Sequence, residues 1–203
     1  MVDSNDGPKE SLVARKQRRI RQELALTALA LFTEQGYDHT TVEEIVDRVE
    51  ISISTFYRFF PSKSDLILEL HRIGSRDLIR AMAARPPEES LAEALEAAVA
   101  QQQGELEQDL AALRHFEELL AKNPELRGRL LAEQYTLRDA MAEEVARRLG
   151  AAPEDFRCQV VAIAILSTTH LALDVWSAST DDRQPVDVIR SAYRVLDPLF
   201  TAD

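Results

Sequence analysis

The sequence predicts an all-α protein, with a three-helix head at the N-terminus and a larger helical body behind it. Apolar residues recur at spacings of three and four from Ile20 to Phe200. That is the period of one helix face, and no stretch shows the alternation of a strand. The breaks fall on Gly36, Pro61, Pro86-Pro87, Asn123-Pro124, Gly150 with Pro153, and Pro185, residues that close a helix or cannot continue one. Length agrees, since 203 residues with 45% hydrophobic side chains can bury a sizeable core as one large or two small domains.

Taken in order, residues 1–12 are polar, contain Gly7-Pro8 and lack periodicity, so they read as a disordered tail. A first helix is expected from about Arg15 to Gln35, with Ile20, Leu24, Ala28, Leu31 and Phe32 turned inward and Gly36 as its C-cap. A second, from about Thr41 to Arg48, sets Val42, Ile45, Val46 and Val49 in one apolar stripe. Thr40 and Thr41 precede Glu43 and Glu44 by three residues, so a capping box can form in either register. The third helix starts at Ser52, a natural N-cap, buries Phe56, Phe59 and Phe60, and stops at Pro61. A further start follows at Ser62 with Asp65, placing Lys63 in a first turn where the macrodipole disfavours a cation. Its presence there makes sense if an anion, such as a DNA phosphate, is to sit between it and the free N–H groups.

The stretch GYDHTTVEEIVDRVEISISTFYRFFPSKSDL, Gly36 to Leu66, resembles the tetracycline-repressor (TetR) family of bacterial regulators. Glu50 departs from it, standing where the family usually has glycine in the turn between the two short helices. A left-handed turn residue there should cost about 1 kcal/mol. The resemblance implies a helix-turn-helix DNA-binding domain over 13–62, a connecting helix over 63–86, and a ligand-binding and dimerisation domain over 87–203. It also implies that Thr41, Tyr57 and Lys63 face phosphates. Ser52, Ile53, Ser54 and Thr55 open the recognition helix, the end that enters the major groove in this motif. Ile53, apolar on an exposed face, suits thymine methyl groups, and Arg58 suits either a guanine edge or a phosphate. Arg18 and Arg19, within the basic run Arg15 to Arg21, would lie along the backbone or enter the minor groove.

The net charge of −11 is awkward for DNA, where affinity comes largely from displaced counterions. Distribution resolves this, because Met1 to Leu66 holds nine basic and eleven acidic residues and the remainder carries most of the excess acid.

Beyond the connecting helix, helices are expected over Ser90–Gln103, Leu106–Lys122, Pro124–Leu149, Pro153–Ser179 and Val186–Phe200. The fourth of these is apolar nearly all round and must be buried on two sides. Ser167 to His170 interrupt it, so its apolar run reads as too short to span a membrane. The last shows a seam of Val186, Ile189, Tyr193, Leu196 and Phe200. Together the last two helices are expected to form the homodimer interface, spacing two recognition helices about one DNA turn, ~34 Å. A weaker likeness around Arg114-His115-Phe116, Arg127–Arg148 and Leu171–Trp176 points to family members that bind acyl-CoA-like ligands.

Candidate ligand residues are His115, Phe116, Tyr135, His170 and Trp176, although a histidine or aromatic on an apolar stripe is more often core. Scattered histidines and a lone Cys158 offer no metal or redox motif. No glycine-rich phosphate loop or nucleophile elbow indicates an enzyme, and no cofactor is expected. With no export signal and one cysteine, the expected compartment is the cytoplasm. The sequence thus reads as a ligand-responsive DNA-binding regulator, most simply a repressor, acting on a palindromic operator and released by a small hydrophobic effector. The alternative is a helical interaction protein of the same fold that has lost specific DNA binding.

Overall fold

The computed structural model describes residues 12–108 and 110–201; apart from Leu12, the tail read over 1–12 lies outside them. Ten helices and no strand occur among the described residues. The chain divides into two compact units, Met1–Leu70 and His71–Asp203.

In the first unit, α1 (Leu12–Gln35), α2 (Val42–Arg48), α3 (Ile53–Phe59) and the start of α4 (Ser64–Ala83) surround one core. That core is Leu24, Ala28, Leu31 and Phe32 from α1, Ile45 and Val46 from α2, Phe56 and Phe59 from α3, and Leu66 and Ile67 from α4. Gly36 closes α1 at φ +89°, and its amide donates to Phe32 O at 2.9 Å. Of the two possible capping registers the fold uses Thr41 with Glu44: Thr41 N donates to Glu44 Oε2 at 2.8 Å and Glu44 N to Thr41 Oγ1 at 3.2 Å. Thr40 is buried instead, its hydroxyl donating to Gly36 O at 2.9 Å. The Thr41 bonds to the charged form hold Glu44 below the usual carboxylate range.

The turn between α2 and α3 places Glu50 at φ +57°. It is the one non-glycine residue with positive φ among the described residues, so the strain anticipated from the sequence is present. Glu50→Gly is expected to stabilise this unit by about 1 kcal/mol, read as a raised denaturation midpoint. An unchanged or lowered midpoint would show that the Glu50 side chain compensates for its backbone.

The second unit continues α4 and adds α5 (Leu91–Gln108), α6 (Leu110–Lys122), α7 (Pro124–Leu149), α8 (Phe156–Ala178), α9 (Pro185–Arg194) and α10 (Asp197–Thr201). Its centre is α8, packed against α6, α7 and α9. Leu78 and Met82 of α4, Leu95 and Val99 of α5, Met141 and Val145 of α7, Val161 and Ile165 of α8, and Ile189 of α9 form one cluster. Asn123 caps α7, its Oδ1 accepting from Leu126 N at 3.1 Å, and Gly150 closes the helix at φ +64°.

Several boundaries differ from those expected, among them α1 starting at Leu12 and α6 at Leu110 rather than Leu106. α5 runs on to Gln108, carrying Gly104 in its interior; glycine is tolerated there at about 1 kcal/mol relative to alanine. α8 starts behind Asp155, whose Oδ1 accepts from Arg157 N at 2.8 Å, and not at Pro153. The last helix breaks after Arg194 because Pro198 cannot donate to the Arg194 carbonyl four residues back and its ring crowds that position.

By length and composition α8, with 23 residues, could cross a membrane, so the run is not too short as the interruption at Ser167–His170 suggested. Its Cys158, Val161, Ala162, Ile165, Leu166, Ala172 and Trp176 are buried within the unit instead.

Candidate nucleic-acid interface and interior polar cluster

The helix α3 is held from below and open above. Phe56 and Phe59 anchor α3 in the core, while Ile53 and Tyr57, four residues apart and so on one face, are 42% and 54% exposed. At the helix start Ser52 Oγ accepts from Thr55 N at 3.2 Å and lies 2.9 Å from both Ser54 Oγ and Thr55 Oγ1. Three hydroxyls are thereby clustered at the N-terminal turn. The Phe56 ring meets Tyr57 edge-on at 5.3 Å, which steadies a tyrosine that is otherwise exposed. Arg58 rests its guanidinium 5.3 Å from the Phe59 ring centroid and stays exposed.

Arg18 and Arg19 are exposed on α1. Arg21, from the same basic run, is turned into the fold: its guanidinium lies 5.0 Å from the Phe60 ring centroid and 3.5 Å from buried Glu69.

Two residues expected to face phosphate have their polar atoms engaged within the head. The Thr41 hydroxyl serves the α2 cap, also donating to Glu44 Oε2 at 3.0 Å. Lys63 Nζ donates to Tyr37 O at 2.6 Å and Thr40 O at 2.8 Å, and sits 4.1 Å over the Tyr37 ring. Burial holds this ammonium below the usual lysine range, against the pull of Asp38 and Glu44. The oddly placed lysine thus answers the carbonyls of the turn between α1 and α2, an electronegative edge supplied by the chain itself.

In the second unit the candidate ligand residues separate. Phe116 and His170 are buried, and His115 is half-buried with its Nε2 sealed from solvent. Tyr135 is 63% exposed on the outside of α7, with Arg138 5.9 Å from its ring, and takes no part in the interior. Trp176 is core: its indole N–H donates to Arg183 O at 2.9 Å and Arg114 stacks 4.2 Å from its ring. Arg114 also donates to Ser177 O at 3.0 Å and to Ser179 O at 3.2 Å, capping the C-terminus of α8.

An interior polar cluster passed unremarked in the sequence. Glu117 is 1% exposed, and both its oxygens lack a hydrogen-bond partner. Burial, with Asp174 nearby and only partial relief from Arg127, pushes its carboxyl up to about 8. His71 Nδ1, His170 Nε2 and Gln134 Nε2 are likewise sealed and unpartnered. His71 is pushed down to about 4 by burial, then by His170 and Arg72, and His170 is lowered mainly by burial. The two imidazoles lie edge to face with centroids 6.0 Å apart. Gln134 Oε1 accepts from Ser167 Oγ at 3.1 Å, and Arg127 pairs with Asp174. A signal existed: Glu117 follows Leu113 and precedes Leu120 at helical spacing, and Gln134 falls between Leu130 and Leu137, polar residues in phase with an apolar stripe.

Known proteins match both units. Residues 26–70 match the family model for bacterial regulatory proteins of the tetR family, and residues 89–201 match the MftR C-terminal domain. The chain is 31% identical to the HTH-type transcriptional regulator TcmR of Streptomyces glaucescens, over 98% of this chain and 91% of that protein. Among solved structures, a TetR-family regulator from Syntrophomonas wolfei superposes with a TM-score of 0.63 at 18% identity, covering 93% of this chain and 97% of that one. Thermus thermophilus FadR, a TetR-family transcriptional repressor solved in complex with lauroyl-CoA, gives 0.60 at 22% identity over 90% and 96%. These structural likenesses concern the fold, whereas the sequence match to TcmR and the two domain models, one on each unit, carry the assignment. The chain belongs to the TetR family of bacterial transcriptional regulators and is not an enzyme.

Proposed function

We propose that the protein is a cytoplasmic homodimeric repressor that binds a palindromic operator through α3 and is released when a small, largely hydrophobic effector enters the second unit. The observation that carries the DNA reading is the exposure of Ile53 and Tyr57 on one face of a helix whose other face is locked by Phe56 and Phe59. In this reading Ile53, Ser54 and Thr55 touch base edges, and Ser52, Tyr57, Arg58, Arg18 and Arg19 touch backbone or adjacent bases. Thr41 and Lys63 shape the turn that presents them.

Two substitutions separate these roles. Arg19→Ala is expected to weaken all sequences alike and lower the salt slope of binding by about 1, whereas Ile53→Ala should relax sequence preference at a cost of about 1–3 kcal/mol. Mobility shifts on the protein's own upstream DNA at two salt concentrations make the distinction. Unchanged affinity in both variants would remove α3 and α1 from the interface.

The dimer reading is supported by Phe156, Val160, Leu171 and Val175 on α8 and Val195 and Leu199 near the C-terminus, all exposed although large and apolar. Along α8 they follow a helical stripe, the pattern of a face awaiting another helix. Leu171→Glu combined with Val175→Glu should sediment as a monomer and lose tight operator binding. A dimer that persists would move the interface elsewhere. Effector action then requires only that the ligand favour the dimer arrangement that fits the operator poorly, with a response bounded by its differential affinity for the two states. FadR's lauroyl-CoA complex makes acyl-CoA one class to test here, by calorimetry across chain lengths. Absence of heat and of any change in DNA affinity would exclude it.

A further inference from the structure

We propose that the polar end of the effector seats among His71, Glu117, Gln134 and His170, and that it is an uncharged group with hydrogen-bond donors and acceptors, such as a hydroxyl and a carbonyl on an apolar body. This rests on the reading of the second unit as an effector-binding domain and assigns that domain's chemistry.

Buried polar atoms are nearly always partnered. Here His71 Nδ1, both Glu117 oxygens, Gln134 Nε2 and His170 Nε2 have no hydrogen-bond partner. The same region gathers them. His71 of α4 faces His170 of α8 across 6.0 Å between ring centroids. Ser167, His170 and Asp174 follow one another at spacings of three and four on α8, and so share a stripe. Ser167 bonds Gln134 of α7, and Asp174 pairs with Arg127 two turns before Gln134 on the same helix. Glu117 of α6 feels both Asp174 and Arg127. Such atoms call for a molecule that donates and accepts at several points.

Charge narrows the class. An anion would lie beside Asp174, with Arg127 already committed to that carboxylate and Arg72 to Glu133 at 2.9 Å. A cation, which can only donate, would find no free carboxylate there, Asp174 being paired with Arg127, and would leave the Gln134 amide unserved. Depressed histidines and a raised carboxyl also leave the lining largely neutral near pH 7. Phe116, Leu130 and Leu166, buried on the same three helices, supply apolar surroundings for the rest of the ligand.

The test uses three naphthalene probes of one shape on the full-length dimer: 6-hydroxy-2-acetylnaphthalene, 6-hydroxy-2-naphthoate and (6-hydroxy-2-naphthyl)methylammonium, with lauroyl-CoA beside them. Calorimetry should show the acetyl compound binding at least about tenfold more tightly than the naphthoate, the ammonium or lauroyl-CoA. Glu117→Leu and His170→Phe should each weaken it about tenfold or more, since a lost polar partner discriminates strongly in a dry site. Tyr135→Ala should leave it unchanged. Thermal melts identify variants that fold, and Glu117→Gln, which keeps donor and acceptor, is expected to retain binding where Glu117→Leu loses it. Any of four outcomes overturns the proposal: a charged probe bound as well or better, none of the three naphthalenes bound, folded variants with unaltered affinity, or Glu117→Gln as damaging as Glu117→Leu. Mobility shifts without probe on the same samples isolate the cause. Operator binding that persists while the probes fail sinks the ligand assignment alone, whereas loss of operator binding in the unsubstituted protein sinks the repressor reading.

Discussion

Between pH 6.5 and 8 the second unit should lose about 1–2 kcal/mol of stability, and Glu117→Gln should abolish most of that loss. The Glu117 carboxyl rises from an ordinary value of 4.5 to about 8 on folding, so the folded state holds its proton across a range where the unfolded chain has released it. Stability from this group is fully present below pH 4.5 and drains away as pH rises through 8. His71 acts in the opposite sense. Its folded value is lowered to about 4, so its contribution is complete above the ordinary 6.5 and is lost as pH falls through 4. Between about 4.5 and 6.5 the His71 slope, reinforced by the lowered His170, opposes that of Glu117, and above that range the Glu117 slope dominates the three. Thermal melts of the two proteins across pH 5 to 8 check this, at roughly 2–4 °C for each kcal/mol in a chain of this size. Parallel profiles for wild type and Glu117→Gln would show that Glu117 is ionised at pH 7 and that the cluster is wetter than its burial indicates.

Lys63→Met is expected to lower the stability of the N-terminal unit by about 3 kcal/mol, because two charge-assisted hydrogen bonds and the seating of the ammonium over the Tyr37 ring disappear together. Methionine preserves the apolar stem but takes the ammonium donor from Thr40 O and leaves Tyr37 O only the longer bond from Thr40 N at 3.3 Å. The turn before α2 then loosens, and DNA affinity should fall with it. The salt slope should stay unchanged if the ammonium is spent on the two carbonyls of the head. A slope reduced by about 1 would instead return Lys63 to the phosphate backbone.

The contrast between Lys63 and Glu50 shows what the sequence could carry. Glu50 was legible because a turn between two amphipathic helices prescribes its backbone conformation locally, and φ +57° bears that out. Capping signals at Thr41, Ser52 and Asn123 were legible for the same reason, since donor and acceptor lie within three residues. The anomaly of a lysine at a helix start was equally visible, although the helix begins one residue later at Ser64, and its answer lay 23 and 26 residues earlier in the chain. Spacing along one helix contains no such information. The interior cluster depends on four helices meeting, so Glu117 and Gln134 showed only as polar residues in apolar phase, while aromatic character alone drew attention to Tyr135, which proves exposed. The break before α10 should have been read, because Pro198 announces it.

Trp176 is the chain's one tryptophan, sealed in the second unit with a cation against its ring and its N–H committed. Indole emission therefore has a single origin. It should be blue-shifted in the native state and move to the red only when the α8 core opens to water, leaving melting of the N-terminal head optically silent at tryptophan wavelengths. Far-ultraviolet dichroism, by contrast, sees helices in both units. Followed together during one denaturant titration, the two signals would coincide if head and body unfold as a single cooperative system and part company if the head melts first. A natural chromophore on one side of the chain thus measures, without labelling, how tightly the two units are coupled.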